Sequence, residues 1–244
     1  EQMIAQRAIR WCALGLAPHV GELLLQIGHR SQSGGNTDTE NVRRPAEAFV
    51  YQSTNEVFVA DGYGNRRVIV LDADTGAFKR MWGAFGNEPL DAPPETGATP
   101  TSGDAAPDEG QGPPQFATVH GIEVSNDGLV YVADRNNSRI QVFDQSGEFL
   151  AEKIIAPLTR ASGSAFVVVL SPDPEQRWLY LADGTNHKVW TLRRDDLEVV
   201  GEFGRGGRQV GQFLRPHGMS IDSQGSLYVG EASTGRRVQK FIAS

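Results

Sequence analysis

Across its 244 residues the chain has a single cysteine, Cys12, so it has no internal disulfide framework, and cysteine usage does not reveal its redox compartment. It lacks any uninterrupted apolar run near the roughly 18 residues of a membrane span. No intact secretory leader is legible either, because Arg7 and Arg10 precede only a short apolar stretch from Trp11 to Ala17. Positive charge is in deficit: 23 Lys and Arg stand against 30 Asp and Glu, a formal net charge of −7. That balance, with no stripe of interleaved aromatic and basic residues, argues against a nucleic-acid-binding surface. Turn-forming residues are plentiful by contrast, with 28 Gly and 13 Pro beside a modest 39% of hydrophobic residues. Such a composition suits a β-rich domain with many turns.

What the chain does have is a repeat. The stretches Val57–Leu71, Val130–Phe143 and Leu179–Leu192 follow one pattern: an apolar strand ending in Ala-Asp, a polar loop, and a second strand opened by Arg or Lys. Leu227–Phe241 is a looser copy. A further short strand is expected before each copy and another after three of them, so each repeat holds four antiparallel strands, which is one blade of a β-propeller. The second strand of each repeat carries the period-2 pattern of a sheet. Residues 45–86, 116–155 and 162–204 read as complete blades, and 214–244 as a blade ending after its third strand. The Asp closing the second strand (Asp61, Asp134, Asp183, with Glu231 in the last copy) is expected to bridge to the Arg or Lys that opens the third.

Two segments depart from this material. Residues 1–20 do not resemble a blade, and Met3 to Leu16 fit a short amphipathic helix. Residues 87–115 are rich in Pro and small or acidic residues and have no apolar periodicity, so they are expected to form a mobile insert within a propeller domain spanning 21–244. The strand expected near Gly21–Gly28 either closes the ring onto the last blade or ends a blade lying upstream.

Positions that break the repeat are the candidates for chemistry. His120 and His217 each begin a first strand in a His-Gly step, and the corresponding positions elsewhere are Ala46 and approximately Gly163. First strands line the central channel of a propeller, so imidazoles on alternate blades converge on its axis, as zinc ligands do. Two histidines alone also fit hydrogen bonding to water or backbone. Tyr63 lies in the loop after a second strand, where the other copies have Asn136, Thr185 and Ser233; a phenol there can act as a general base. Arg135 stands where Gly62 and Gly184 stand elsewhere, and its guanidinium can grip a carboxylate. His187 is expected to be an exposed loop residue.

The loop residues resemble those of the NHL-repeat family of β-propellers, which usually close with six blades. The resemblance implies an all-β propeller of four-stranded antiparallel blades. About four of the six would be present here, together with an N-terminal strand. The order of the Asp61 to Asn65 loop, His120-Gly121, the run from Ala133 to Gln141, and Pro216-His217 further resembles the lyase half of peptidylglycine α-amidating enzymes, which cleaves peptidyl-α-hydroxyglycine to a peptide amide and glyoxylate. That resemblance implies zinc on His120 and His217, Tyr63 as the base, Arg135 as catalytic and carboxylate-binding residue, a structural calcium, and an extracytoplasmic location. This chain has Gly218 after His217, where the family pattern has Asp, and it lacks the family's disulfide cysteines. The alternative is a non-catalytic scaffold that holds a peptide or protein on one face of the ring.

Overall fold

The structure is a computed structural model that describes residues 14–16, 23–91 and 112–242. It is built almost wholly of antiparallel strands. A two-stranded pair, β1 (Leu14–Leu16) and β2 (Leu23–Gln26), precedes four blades. The first blade is β3 (Glu47–Tyr51), β4 (Glu56–Asp61), β5 (Arg67–Asp72) and β6 (Phe78–Trp82). The second is β7 (Val119–Val124), β8 (Val130–Asp134), β9 (Arg139–Phe143) and β10 (Phe149–Ile154). The third is β11 (Val167–Leu170), β12 (Trp178–Asp183), β13 (Lys188–Arg193) and β14 (Val199–Phe203). The fourth has three described strands, β15 (Pro216–Ile221), β16 (Leu227–Glu231) and β17 (Val238–Phe241). Among the described residues no helix is long and apolar enough to cross a membrane.

The N-terminal segment corrects one expectation. Leu14–Leu16, placed at the end of an amphipathic helix by the sequence pattern, is a strand paired with β2; residues 1–13 lie outside the described residues. β2 does not close the ring onto β17. It pairs with β1, and Leu25 and the buried Ile27 pack on the outer face of the first blade. The strand therefore behaves as part of a preceding sheet rather than as the fourth strand of the last blade.

Burial explains why the inner strands carry more apolar residues than simple alternation requires. Each of the first three blades is packed on both sides, so the central strands of the first two are buried on both faces, whereas the fourth packs only against the third. Val57 and Val59 of β4 face β2, while Phe58 and Ala60 on the same strand face the second blade. Val130 and Val132 of β8 turn back to the first blade, and Tyr131 and Ala133 turn forward to the third. Phe166, Val167, Val169 and Ala182 then pack against Met219 and Val229 of the fourth. The outer strands β6 and β14 lie at the rim and keep mostly exposed or half-buried residues.

The bridge between second and third strands forms in three blades. Arg67 Nε donates to Asp61 at 3.0 Å and Arg139 Nε to Asp134 at 2.8 Å, all four side chains being fully buried, and Arg237 Nε donates to Glu231 at 2.5 Å. The third blade departs from expectation. Lys188 turns outward to Glu202 at 2.7 Å, and Asp183 instead accepts from Trp190 Nε1 at 3.0 Å and from Asn186. A lysine presents a single ammonium on a flexible stem and lacks the fork that lets Arg serve the carboxylate and backbone carbonyls together. Burial raises the Asp183 pKa in the absence of a cation.

These bridges also anchor the chain between blades. Arg67 donates to the carbonyls of Asn36, Asp38 and Asn41, and Arg139 to those of Pro113 and Gln115. The described ends of the 87–115 insert are tied together: the Gln115 side chain bonds Leu90 N and Glu88 O, and Asn87 Nδ2 donates to Pro114 O. Residues 92–111 lie outside the described residues.

Two stability measurements follow from these pairs. Arg139→Ala leaves the buried Asp134 carboxylate without its cation and should cost about 3–5 kcal/mol in denaturant unfolding. Lys188→Ala, which breaks a partly exposed pair with Glu202 and a contact with the Trp190 ring, should cost only about 1 kcal/mol. Glu56, gripped by both Nη atoms of Arg80 at 2.7 Å, has its pKa lowered to about 2, chiefly by that hydrogen-bonded pair. Its contribution is complete above the ordinary carboxylate pKa and is lost as pH falls toward 2. Glu56→Gln should therefore flatten the acid limb of a stability–pH profile while lowering stability at pH 7.

Candidate functional site

The four residues singled out by the broken repeat meet at one point. Tyr63 Oη lies 2.8 Å from His120 Nε2, 3.2 Å from His217 Nε2 and 3.3 Å from Arg135 Nη1. The two imidazole Nε2 atoms are 3.3 Å apart. These side chains come from the first, second and fourth blades, so 154 residues of chain separate Tyr63 from His217.

Backbone irregularities aim the histidines. Ladder pairing steps from Val119↔Asp134 to Gly121↔Ala133, and from Pro216↔Glu231 to Gly218↔Gly230. His120 and His217 are the extra residues at two β-bulges, a device that redirects a side chain out of the regular alternation. The first strands of blades one and three carry no such shift. Thr118 and Arg215, each two residues before a histidine, take left-handed backbone at φ 74° and 63°.

Close backbone approach completes the alignment. A Cβ on Gly121 would lie 2.9 Å from Val167 Cα, so the step after His120 admits only glycine if the first strands of blades two and three are to keep their spacing. A Cβ on Gly62 would fall 1.9 Å from the Val119 carbonyl oxygen. The loop bearing Tyr63 therefore presses directly on the strand bearing His120.

His120 is nearly fully buried, and its Nδ1 is 2.7 Å from the Phe166 carbonyl oxygen. Nδ1–H donates there, which leaves the Nε2 lone pair facing Tyr63 and His217. Burial lowers the His120 pKa to about 3, with the positive charges of neighbouring His217 and Arg135 adding to the effect. The ring is thus neutral and a lone-pair donor at ordinary pH. Arg135, at the start of the 3₁₀ turn Arg135–Asn137, is 9% exposed. Its Nε donates to Asn136 and its Nη1 to Tyr63, and among the described residues no carboxylate pairs with it. A buried guanidinium without a counter-ion is poised for an anion.

The donor set fits a zinc ion in part. Two nitrogens bound at about 2.0–2.1 Å to a tetrahedral zinc stand roughly 3.3 Å apart, the spacing seen here. The hydrogen bond fixing His120 Nδ1 is the outer support that such ligands require. Among the described residues no group of three His, Cys, Asp or Glu is placed to hold a metal ion. His29 lies in the β2–β3 connection with its backbone N bonded to Asn41, and His19 is outside the described residues.

Three neighbours were not anticipated from the sequence. Phe166, not the region of Gly163, occupies the third blade's position corresponding to His120 and His217, because Val167↔Ala182 aligns with Gly121↔Ala133. Its ring lies 5.5 Å from His120 and 5.7 Å from His217, with Arg135 and Arg215 over it at 5.1 and 5.4 Å. Arg215 was hidden by its ordinary surroundings in sequence, although its place two residues before a channel histidine was a usable signal. His187, expected to be exposed, is half-buried, and its Nδ1 accepts from Arg215 N at 3.2 Å.

Residues 116–143 match the model of the NHL repeat. The chain carries that repeat. NHL repeat-containing protein 3 of Homo sapiens is 25% identical over 227 residues, covering 91% of this chain and 56% of that protein. Peptidylglycine alpha-amidating monooxygenase of Rattus norvegicus is 27% identical over 229 residues, covering 90% of this chain and 20% of that enzyme. The chain thus spans about half the length of the first relative and a fifth of the second. Among solved structures, the WD40 beta propeller domain of Doa1 aligns with a TM-score of 0.51 at 11% identity, over 78% of this chain and 49% of that one. That likeness is one of fold alone. The matched NHL repeat contains His120, Arg135 and the Asp134–Arg139 bridge, so blade scaffold and site share one stretch of chain.

Gly62→Ala should move the Tyr63 loop off the His120 strand and cost about 1–3 kcal/mol through overpacking, read as a lower unfolding midpoint.

Proposed function

We propose that this NHL propeller is a metal-dependent, lyase-like enzyme acting on a small carboxylate-bearing substrate, with a peptidyl-α-hydroxyglycine as the model compound. The observation that carries the reading is the meeting of Tyr63 Oη with two imidazole Nε2 atoms and an unpaired guanidinium within 3.3 Å. Distant similarity to amidating enzymes supports it. His120 and His217 would hold zinc, which when bound supplies Lewis-acid polarisation of the reacting oxygen.

The remaining work falls to the chain's own side chains. Arg135 holds the substrate carboxylate through paired N–H donors and thereby fixes the carbon next to it against Tyr63. Tyr63, acting as the phenolate, takes the proton of the substrate hydroxyl and returns it to the departing nitrogen. The electron pair of that O–H bond becomes the new carbonyl, the carbon–nitrogen bond breaks, and the nitrogen departs with a proton. The products are an amide and an α-keto acid, so atoms and charge balance without a redox partner. Phe166 forms an apolar floor beneath both histidines and limits access of water from that side.

Two measurements test the reading together. Metal analysis of protein purified without added metal should find about one zinc per chain, lost in the His120→Ala/His217→Ala double variant. Tyr63→Phe should retain that zinc and lose roughly 10²–10⁴-fold in turnover of the hydroxyglycine substrate, the range for removing a general base. Full turnover by Tyr63→Phe excludes the assigned role.

A further inference from the structure

Arg215 opens into a second cleft, between the third and fourth blades. This cavity of about 300 Å³ is lined by Ser162, Thr185, His187, Arg215 and Ser233, among others. It repeats the corner that holds Tyr63: Thr185 follows Asp183 by two residues as Tyr63 follows Asp61, and the glycine between, Gly184, approaches the Pro216 carbonyl next to His217 as Gly62 approaches that of Val119 next to His120. Where the first corner has a phenol, this one has a small hydroxyl, and the room released is the cavity.

Two independent features of its lining point to an anion. Arg215 Nη2 donates to Ser162 Oγ at 3.3 Å, and among the described residues no carboxylate pairs with the guanidinium, although the chain carries an excess of acids. Thr185 Oγ1 is buried and has no hydrogen-bond partner. A buried hydroxyl left unsatisfied costs free energy, and rotation about χ1 toward a ligand oxygen in the cleft would relieve that cost. Arg215 lies over the Phe166 ring, as Arg135 does, both within 5.4 Å of its centre. Both guanidinium groups therefore border the same ring, which sets a short diacid as the size of molecule to test.

We infer that this cleft is a carboxylate subsite formed by Arg215 and Thr185, and that the preferred substrate carries two acidic groups, one on Arg135 and one on Arg215. The inference rests on the reading of Arg135 as a carboxylate anchor but not on the lyase chemistry. It narrows the substrate to a short diacid or an acyl amino acid with a second carboxylate.

Calorimetric titration of the protein as purified, with glutarate and with butyrate as probes, tests it. Glutarate should bind roughly ten- to a hundredfold more tightly than butyrate, the gain expected from one further charge-assisted contact. Arg215→Gln should reduce glutarate to the level of butyrate. Thr185→Val, close in shape to the native side chain, should weaken glutarate severalfold. Absence of glutarate binding, equal binding of the two probes, or an unchanged glutarate affinity in Arg215→Gln would overturn the inference. Because binding is read without turnover, the predicted pattern in a protein that fails the lyase assay would retain the subsite and reject only the reaction.

Discussion

The carboxylate–guanidinium pair at the end of the second strand in the first, second and fourth blades is the interaction on which the rest of this molecule depends. It does more than close a hairpin. Asp61 accepts from Arg43 N, Asp134 from Ala117 N and Glu231 from Leu214 N, so in three blades the same acid also fixes the segment arriving from the preceding blade. The paired Arg then satisfies carbonyls of that segment. Burying two charges is costly unless every remaining donor and acceptor is used, and here the surplus hydrogen bonds are spent on the connections between blades.

The candidate site is placed by these clamps. Tyr63 stands two residues after Asp61 and Arg135 one residue after Asp134, while Arg215 follows Leu214, whose N–H is held by Glu231. Chemistry-bearing side chains thus emerge from the most constrained loops of the fold. The scaffold residue recurs in each blade, and the variable residue beside it is free to differ. Only the third blade lacks the ion pair, and that is the blade whose loop contributes Thr185 and the open cleft.

Much of the site was legible without coordinates because repetition supplies its own control. A tyrosine in a series of Asn, Thr and Ser, or an arginine in a series of glycines, is visible only when the copies are aligned. The same reasoning misplaced Phe166, since the turn between first and second strands is longer in the third blade, where Leu170 pairs with Leu179, than in the second, where Val124 pairs with Val130, and counting along the chain does not register that difference. It also overestimated Lys188, because a residue matching in charge does not match in geometry: an ammonium cannot span the carboxylate and the carbonyls together.

The sequence by itself determined the all-β blade repeat, the strand order within each blade, and the identity of His120, His217, Tyr63 and Arg135 as departures from it. These are local properties, written in alternation, turn residues and mismatches among copies. Tertiary structure alone decided that both faces of the inner strands are buried in the first two blades, that β2 belongs with β1, and that Arg215 and Phe166 join the site. Those outcomes depend on contacts between blades dozens of residues apart, where bulges and close backbone approach set which side chains meet, and neither leaves a periodic mark in the chain.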